Sequence, residues 1–203
     1  MKPATPYYCI DEARLLKNMA RIQQVREQAG ARSVLALKCF STWPVFGLMR
    51  QYMDGTTSSS LYEARLGSEE FGKEVHAYSV AFAEEEIDEL RIIADKIIFN
   101  SVAQLQRFAG KTEHLSRGLR LNPQVSYSDY DLADPARPYS RLGVVEVPSP
   151  ETRRLINGAM LHYNCENDDF VNFSLLLDQI GERYQDLLCH LDWLSMGGGI
   201  AFT

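Results

Sequence analysis

Lys38 stands directly after Val34-Leu35-Ala36-Leu37, an unbroken apolar run of strand length. That placement points to the carboxyl end of a buried strand, where partial burial would favour the neutral amine that attacks an aldehyde. The plain alternative is a lysine that snorkels from a strand end. Met196-Gly197-Gly198-Gly199 follows another apolar run, and three glycines let backbone N–H groups converge on an anion such as phosphate. A flexible turn would use the same residues. His162 closes a further apolar run in LHYNCEN, where an imidazole could stack on a flat aromatic cofactor or sit as a satisfied core histidine. Arg120 in LRLNP is a cation within a mostly apolar strand, aimed either at a ligand near the strand ends or at a structural ion pair. Ser60 and Glu63 have the spacing of a capping box and read first as a helix start.

The elements that must hold these residues alternate between strand and helix. Asp11 caps a helix whose stripe is Leu15, Met19, Ile22 and Val25, and Gly30 ends it. After the Val34–Leu37 strand, Ser41 or Thr42 opens a helix with Pro44 in its first turn and Phe46, Met49 and Tyr52 inward. Further strands are expected at Gly55 to Ser58, His76 to Ala81, Ile97 to Phe99, Gly118 to Asn122, Ala159 to Tyr163 and Leu191 to Met196. Helices fall between them, one of them opening near Asp168 and another bearing three acidic residues in its first turn from Glu84. Such alternation implies a parallel sheet with helices outside. No Gly-rich GxGxxG turn marks a dinucleotide fold, so a (β/α)8 TIM-like barrel is favoured, with Lys38 and the glycines on its carboxyl rim. About seven strands can be counted, so the barrel is expected to be incomplete, interrupted before strand eight. Residues 1–30 read as an N-terminal strand and helix, and 31–203 as the barrel domain. Pro123 to Pro150, with five prolines, reads as a long loop.

Composition narrows the partners. The 203 residues carry a net charge of −6 with no basic stripe, which argues against nucleic acid as the main partner. No apolar run is long enough to span a membrane, and the first residues do not resemble a secretory signal. Cys9, Cys39, Cys165 and Cys189 form no CxxC pair and, with the four histidines, no metal-ligand spacing. A soluble cytosolic protein with free thiols and no metal is expected.

Taken in order, ALKCFS, GTTSSSLYEARLG, HAYSVAF, LRLNP, SRLGV, LHYNCEN and SMGGG resemble the alanine-racemase-like, fold-type III decarboxylases that use pyridoxal phosphate. Ornithine and diaminopimelate decarboxylases belong to this group. The resemblance covers nearly the whole chain. It implies that Lys38 forms a Schiff base with the cofactor and that His162 stacks on its pyridine ring. Gly197, Gly198 and Gly199 would hold the phosphate, Ser60 would lie close to the cofactor, and Arg120 would stand near the ring.

The same resemblance implies the loss of an α-carboxylate as CO2 from a carboxylated polyamine, in polyamine synthesis. It also implies a homodimer. The family's acidic partner for the pyridine nitrogen lies on strand eight, and its C-terminal β-domain follows. Both lie past Thr203 in that pattern, so the chain alone is expected to be weakly active or inactive. Rival readings are a diaminopimelate- or ornithine-type decarboxylase, a racemase of the same fold, a pyridoxal phosphate barrel without turnover, and a phosphate-binding barrel without that cofactor. A single cofactor-carrying barrel would not need the N-terminal YYCID segment, which in the decarboxylases is a strand paired into the second domain.

Overall fold

The computed structural model describes residues 4–126, 132, 134–162 and 169–198. Helix α1, Glu12–Ala29, opens where the Asp11 carboxylate accepts the amides of Ala13 and Arg14. It closes on Gly30 in the left-handed region, at φ 60°. Seven parallel strands follow. They are β1 (Val34–Ala36), β2 (Gly55–Ser58), β3 (Glu74–Ser79), β4 (Lys96–Phe99), β5 (Ser116–Leu121), β6 (Gly158–Leu161) and β7 (Trp193–Ser195). Each is hydrogen-bonded to the next in chain order, forming one curled sheet, the incomplete barrel expected from the alternation. Between them run α2 (Phe46–Met49), α3 (Leu61–Leu66), α4 (Glu84–Ile93), α5 (Val102–Phe108), α6 (Pro150–Arg153) and α7 (Phe170–Leu188).

The strands have two faces because successive side chains alternate. Val75, Ala77, Ile97, Phe99, Leu119, Leu121, Ala159 and Leu161 face outward. They share one apolar core with Ile87, Leu90, Leu105, Phe108, Leu176, Ile180, Tyr184 and Leu187 of the helices. A second core joins α1, β1 and α2 through Met19, Ile22, Leu35, Phe46 and Met49. The opposite strand face is largely polar. Its register sets His76 beside Lys96, then Ile98, Gly118, Gly158 and Trp193 in one row, and Arg120, Met160 and Ser195 in the next.

Trp193 floors that inner space. Cβ atoms on Gly118 and Gly158 would stand 2.4 and 1.9 Å from its ring atoms, so only glycine admits the indole. The indole N–H donates to Ser116 Oγ at 2.7 Å.

Several sequence expectations need correction. Residues 4–11 form no strand, and Tyr8 is fully exposed; the partner that the resemblance gives this segment lies in a second domain, outside the described residues. Val25 faces solvent, and Arg26 takes the inward place by donating to the Tyr52 carbonyl and pairing with Asp54. Strand β3 starts at Glu74 rather than His76, and β4 at Lys96. Their charges face inward and satisfy one another, Glu74 accepting from Lys96 at 2.8 Å and contacting His76 at 3.0 Å. Neither Ser41 nor Thr42 supplies a side-chain cap, since Trp43–Val45 forms a tight 3-10 turn before α2. Strand β5 starts two residues earlier than expected, at Ser116, whereas β6 and β7 are shorter than expected; α7 opens on its Asp169 cap.

Candidate active site on the carboxyl rim

Because all seven strands run in one direction, their carboxyl ends form a single rim. Lys38 enters it from the turn after β1. Leu37 extends the pairing by donating to the Thr57 carbonyl, and Cys39 and Phe40 then fold back onto the Ala36 carbonyl. Leu37 is buried in the outer core, whereas Lys38, in register with Ala36, is exposed rather than partly buried. The turn carries it past the end of the sheet, where no neighbouring strand covers it.

His162 follows β6 and lies within the influence of four other sequence-predicted residues. Burial comes first among the causes that push its pKa down to about 4, followed by the positive charges of Arg120 and Lys38. The imidazole is therefore neutral near pH 7. The Gly198 amide donates to His162 Nδ1 at 3.3 Å, which makes Nδ1 the acceptor and leaves the ring proton on Nε2. Gly197 adopts φ 75°, and a Cβ there would stand 2.4 Å from Nδ1. The glycine turn is thus backed directly against the histidine. Gly199 lies outside the described residues, as do Cys165 and Glu166.

Arg120, in β5, is 4% exposed, and the ion-pair reading does not hold for it among the described residues. Its Nη1 donates instead to the Tyr78 hydroxyl at 2.7 Å, while its buried Nε has no partner. A buried cation left partly unsatisfied is costly unless a ligand completes it. Ser60 lies on the same rim but is occupied as the cap of α3, its hydroxyl accepting from the Glu63 amide at 3.2 Å. Glu63 in turn accepts from the Ser59 amide, one residue before the position a standard capping box uses. The structure therefore gathers Lys38, Arg120, His162, Gly197 and Gly198 on one rim, with Ser60 there as the cap of α3.

Three contributors escaped the sequence reading. The Tyr78 hydroxyl donates to Asn100 Oδ1 at 3.0 Å, and the Gly143 amide donates to the same oxygen at 2.8 Å. Tyr78 keeps the inward parity of His76, and Asn100 directly follows the apolar run of β4. Those were the available signals, but neither identifies Arg120 as their target.

This arrangement fits pyridoxal phosphate. An amine, a neutral flat imidazole, a cation with an unsatisfied N–H and a glycine turn share one rim. No family model matches the chain. A carboxynorspermidine/carboxyspermidine decarboxylase of Herminiimonas arsenicoxydans is 57% identical over 98% of this chain and 55% of its own length. A carboxyaminopropylagmatine decarboxylase of Synechocystis is 34% identical over 98% of the chain and 52% of its length. The crystal structure of Campylobacter jejuni carboxynorspermidine decarboxylase, complexed with norspermidine, superposes with a TM-score of 0.84 at 34% identity. That match covers 96% of this chain and 50% of the other. The chain spans about half the length of the curated relatives it matches. Over that span it is a homologue of the carboxynorspermidine/carboxyspermidine decarboxylases.

Proposed function

We propose that this chain supplies the cofactor-binding rim of a pyridoxal phosphate-dependent decarboxylase whose substrate is carboxynorspermidine or carboxyspermidine. The observation that carries the reading is the glycine turn backed against His162, on a rim where the imidazole also feels the positive charges of Arg120 and Lys38. Pyridoxal phosphate, when bound, supplies the electron-accepting ring that lets a carboxylate depart as CO2.

The residues divide the remaining tasks. Lys38 provides the amine that binds the aldehyde carbon. His162 offers a neutral face to the ring, and its proton stays on Nε2, so no third cation is added beside Lys38 and Arg120. Gly197 keeps the backbone close, and the Gly198 amide, engaged with His162, holds the turn in place for a phosphate. Arg120 brings an unsatisfied N–H to the ring's vicinity. Ser60, already holding α3 in place, has lone-pair capacity left for the same group. Gly199 completes the turn in the resemblance. Assembly as a homodimer in the cytoplasm belongs to the same proposal.

The test is uptake of pyridoxal phosphate by the full-length protein, read as a visible band that borohydride shifts. Lys38→Ala should abolish the reducible form. If wild type and Lys38→Ala bind the cofactor in the same reducible form, Lys38 is not its anchor. Substrate choice is read from CO2 release. Preferred turnover of diaminopimelate or ornithine over carboxynorspermidine and carboxyspermidine would overturn it. The Synechocystis relative makes carboxyaminopropylagmatine the second substrate to assay.

A further inference from the structure

We propose that Tyr78 and Asn100 are positioning residues for Arg120, tying its guanidinium to the backbone of the Arg141–Gly143 segment, an inference that rests on reading this rim as a pyridoxal phosphate site. The donor order of the chain is settled by chemistry. A guanidinium can only donate, so the Tyr78 oxygen accepts from Arg120 Nη1 and its own proton goes to Asn100. Burial raises the pKa of the phenol although Arg120 opposes it, so that proton stays on the oxygen. Tyr78 and Gly143 both aim donors at one Asn100 atom, which must therefore be the carbonyl oxygen. Its Nδ2 then donates to the Arg141 carbonyl at 2.9 Å.

The same segment also grips Arg120 from the backbone side. The Val144 amide donates to the Arg120 carbonyl at 2.9 Å, and the Asn122 amide to the Val144 carbonyl at 2.8 Å. Gly143 has φ 88°, and a Cβ there would stand 3.1 Å from Arg120 Cγ. The side chain and the main chain of Arg120 are thus fixed by one stretch of backbone. Stability alone gives no reason to build this. The chain of hydrogen bonds ends on a buried cation with an orphaned Nε, which costs free energy in a resting protein. A guanidinium held ready for an incoming group accounts for that cost.

The test uses the full-length protein carrying Tyr78→Phe, Asn100→Ala, Arg120→Lys and the Tyr78→Phe/Arg120→Lys pair. Each of the first two should lower kcat about tenfold, the scale of a lost hydrogen bond to a charged group, with KM changed less than about twofold. The band of bound pyridoxal phosphate should move in the same variants. The pair should be no worse than Arg120→Lys alone, because Tyr78 acts through Arg120. Val75→Ala, which loosens the outer packing of β3, should lower the melting temperature and leave kcat in place. In the cofactor-free protein, His162 should titrate at higher pH in Tyr78→Phe, as the Arg120 charge is released. Wild-type kcat and spectrum in Tyr78→Phe, or additive losses in the pair, overturn the proposal. If wild type takes up no pyridoxal phosphate, the function proposed above fails. The His162 titration then decides alone, and an unchanged value overturns the positioning role.

Discussion

Gly197 and His162 are fitted to each other. The glycine turns at φ 75° with its Cα against the imidazole, leaving no space for a Cβ, whose nearest neighbour would be His162 Nδ1 at 2.4 Å. Gly197→Ala must therefore relax both a left-handed backbone and a steric overlap, at about 1–3 kcal/mol. We expect a lower melting temperature together with about a tenfold loss of pyridoxal phosphate affinity. A titration showing wild-type affinity would mean that the turn takes no part in holding the cofactor.

The pH dependence of stability follows from two groups on the inner face. His162, with its pKa held near 4 first by burial and then by Arg120 and Lys38, binds fewer protons folded than unfolded. Its contribution is complete above the ordinary histidine value of about 6.5 and is lost as pH falls towards 4. His162→Gln should flatten the stability profile between those limits in denaturant titrations. A profile with the wild-type slope would place the proton uptake elsewhere, with His76, also lowered by burial, the next candidate.

Glu74 extends the acid sensitivity downward. Burial pushes its carboxyl up, but hydrogen bonds from Lys96 and His76 prevail and bring it to about 2. This stabilisation is present above the ordinary carboxylate range and is lost as pH falls through to about 2. Glu74→Gln leaves Lys96 inside the sheet without its carboxylate counter-charge, and we expect about 1–3 kcal/mol of destabilisation at pH 7. The difference from wild type should shrink as pH approaches 2, measured by urea midpoints.

The floor of the barrel can be tested by exchange of volume. Gly158→Ala places a methyl group 1.9 Å from a Trp193 ring atom, so the indole must move. We expect a loss of about 1–3 kcal/mol and an altered near-ultraviolet circular dichroism signal. Adding Trp193→Leu should recover part of the loss. If the double variant is less stable than Gly158→Ala alone, the clash is not the cause.

How much could be read from residues alone differs between the two faces of the sheet. Alternation of apolar runs with helical stripes sufficed for the parallel barrel, because the outer face is uniformly apolar and periodicity reports apolar burial. The same rule misplaced the starts of β3 and β4. Glu74 and Lys96 look like loop residues until one knows that the register sets Lys96 beside His76 on the inner face, with Glu74 two residues back within reach of both. Asp11, Ser60 and Gly30 were legible because capping is local chemistry. The N-terminal strand was not, because a strand exists only through its partner.

By itself the sequence determined the order of the elements, the single rim for Lys38, Arg120, His162 and the glycines, and the resemblance carried by the segments around them. Only the tertiary structure decided that Arg120 pairs with Tyr78 rather than a carboxylate, that Lys38 is exposed, and that Gly198 turns its amide to His162. The physical reason is range. Periodicity and capping act within a few residues, whereas these contacts join residues about 40 positions apart in sequence, through register and curvature that no local pattern encodes.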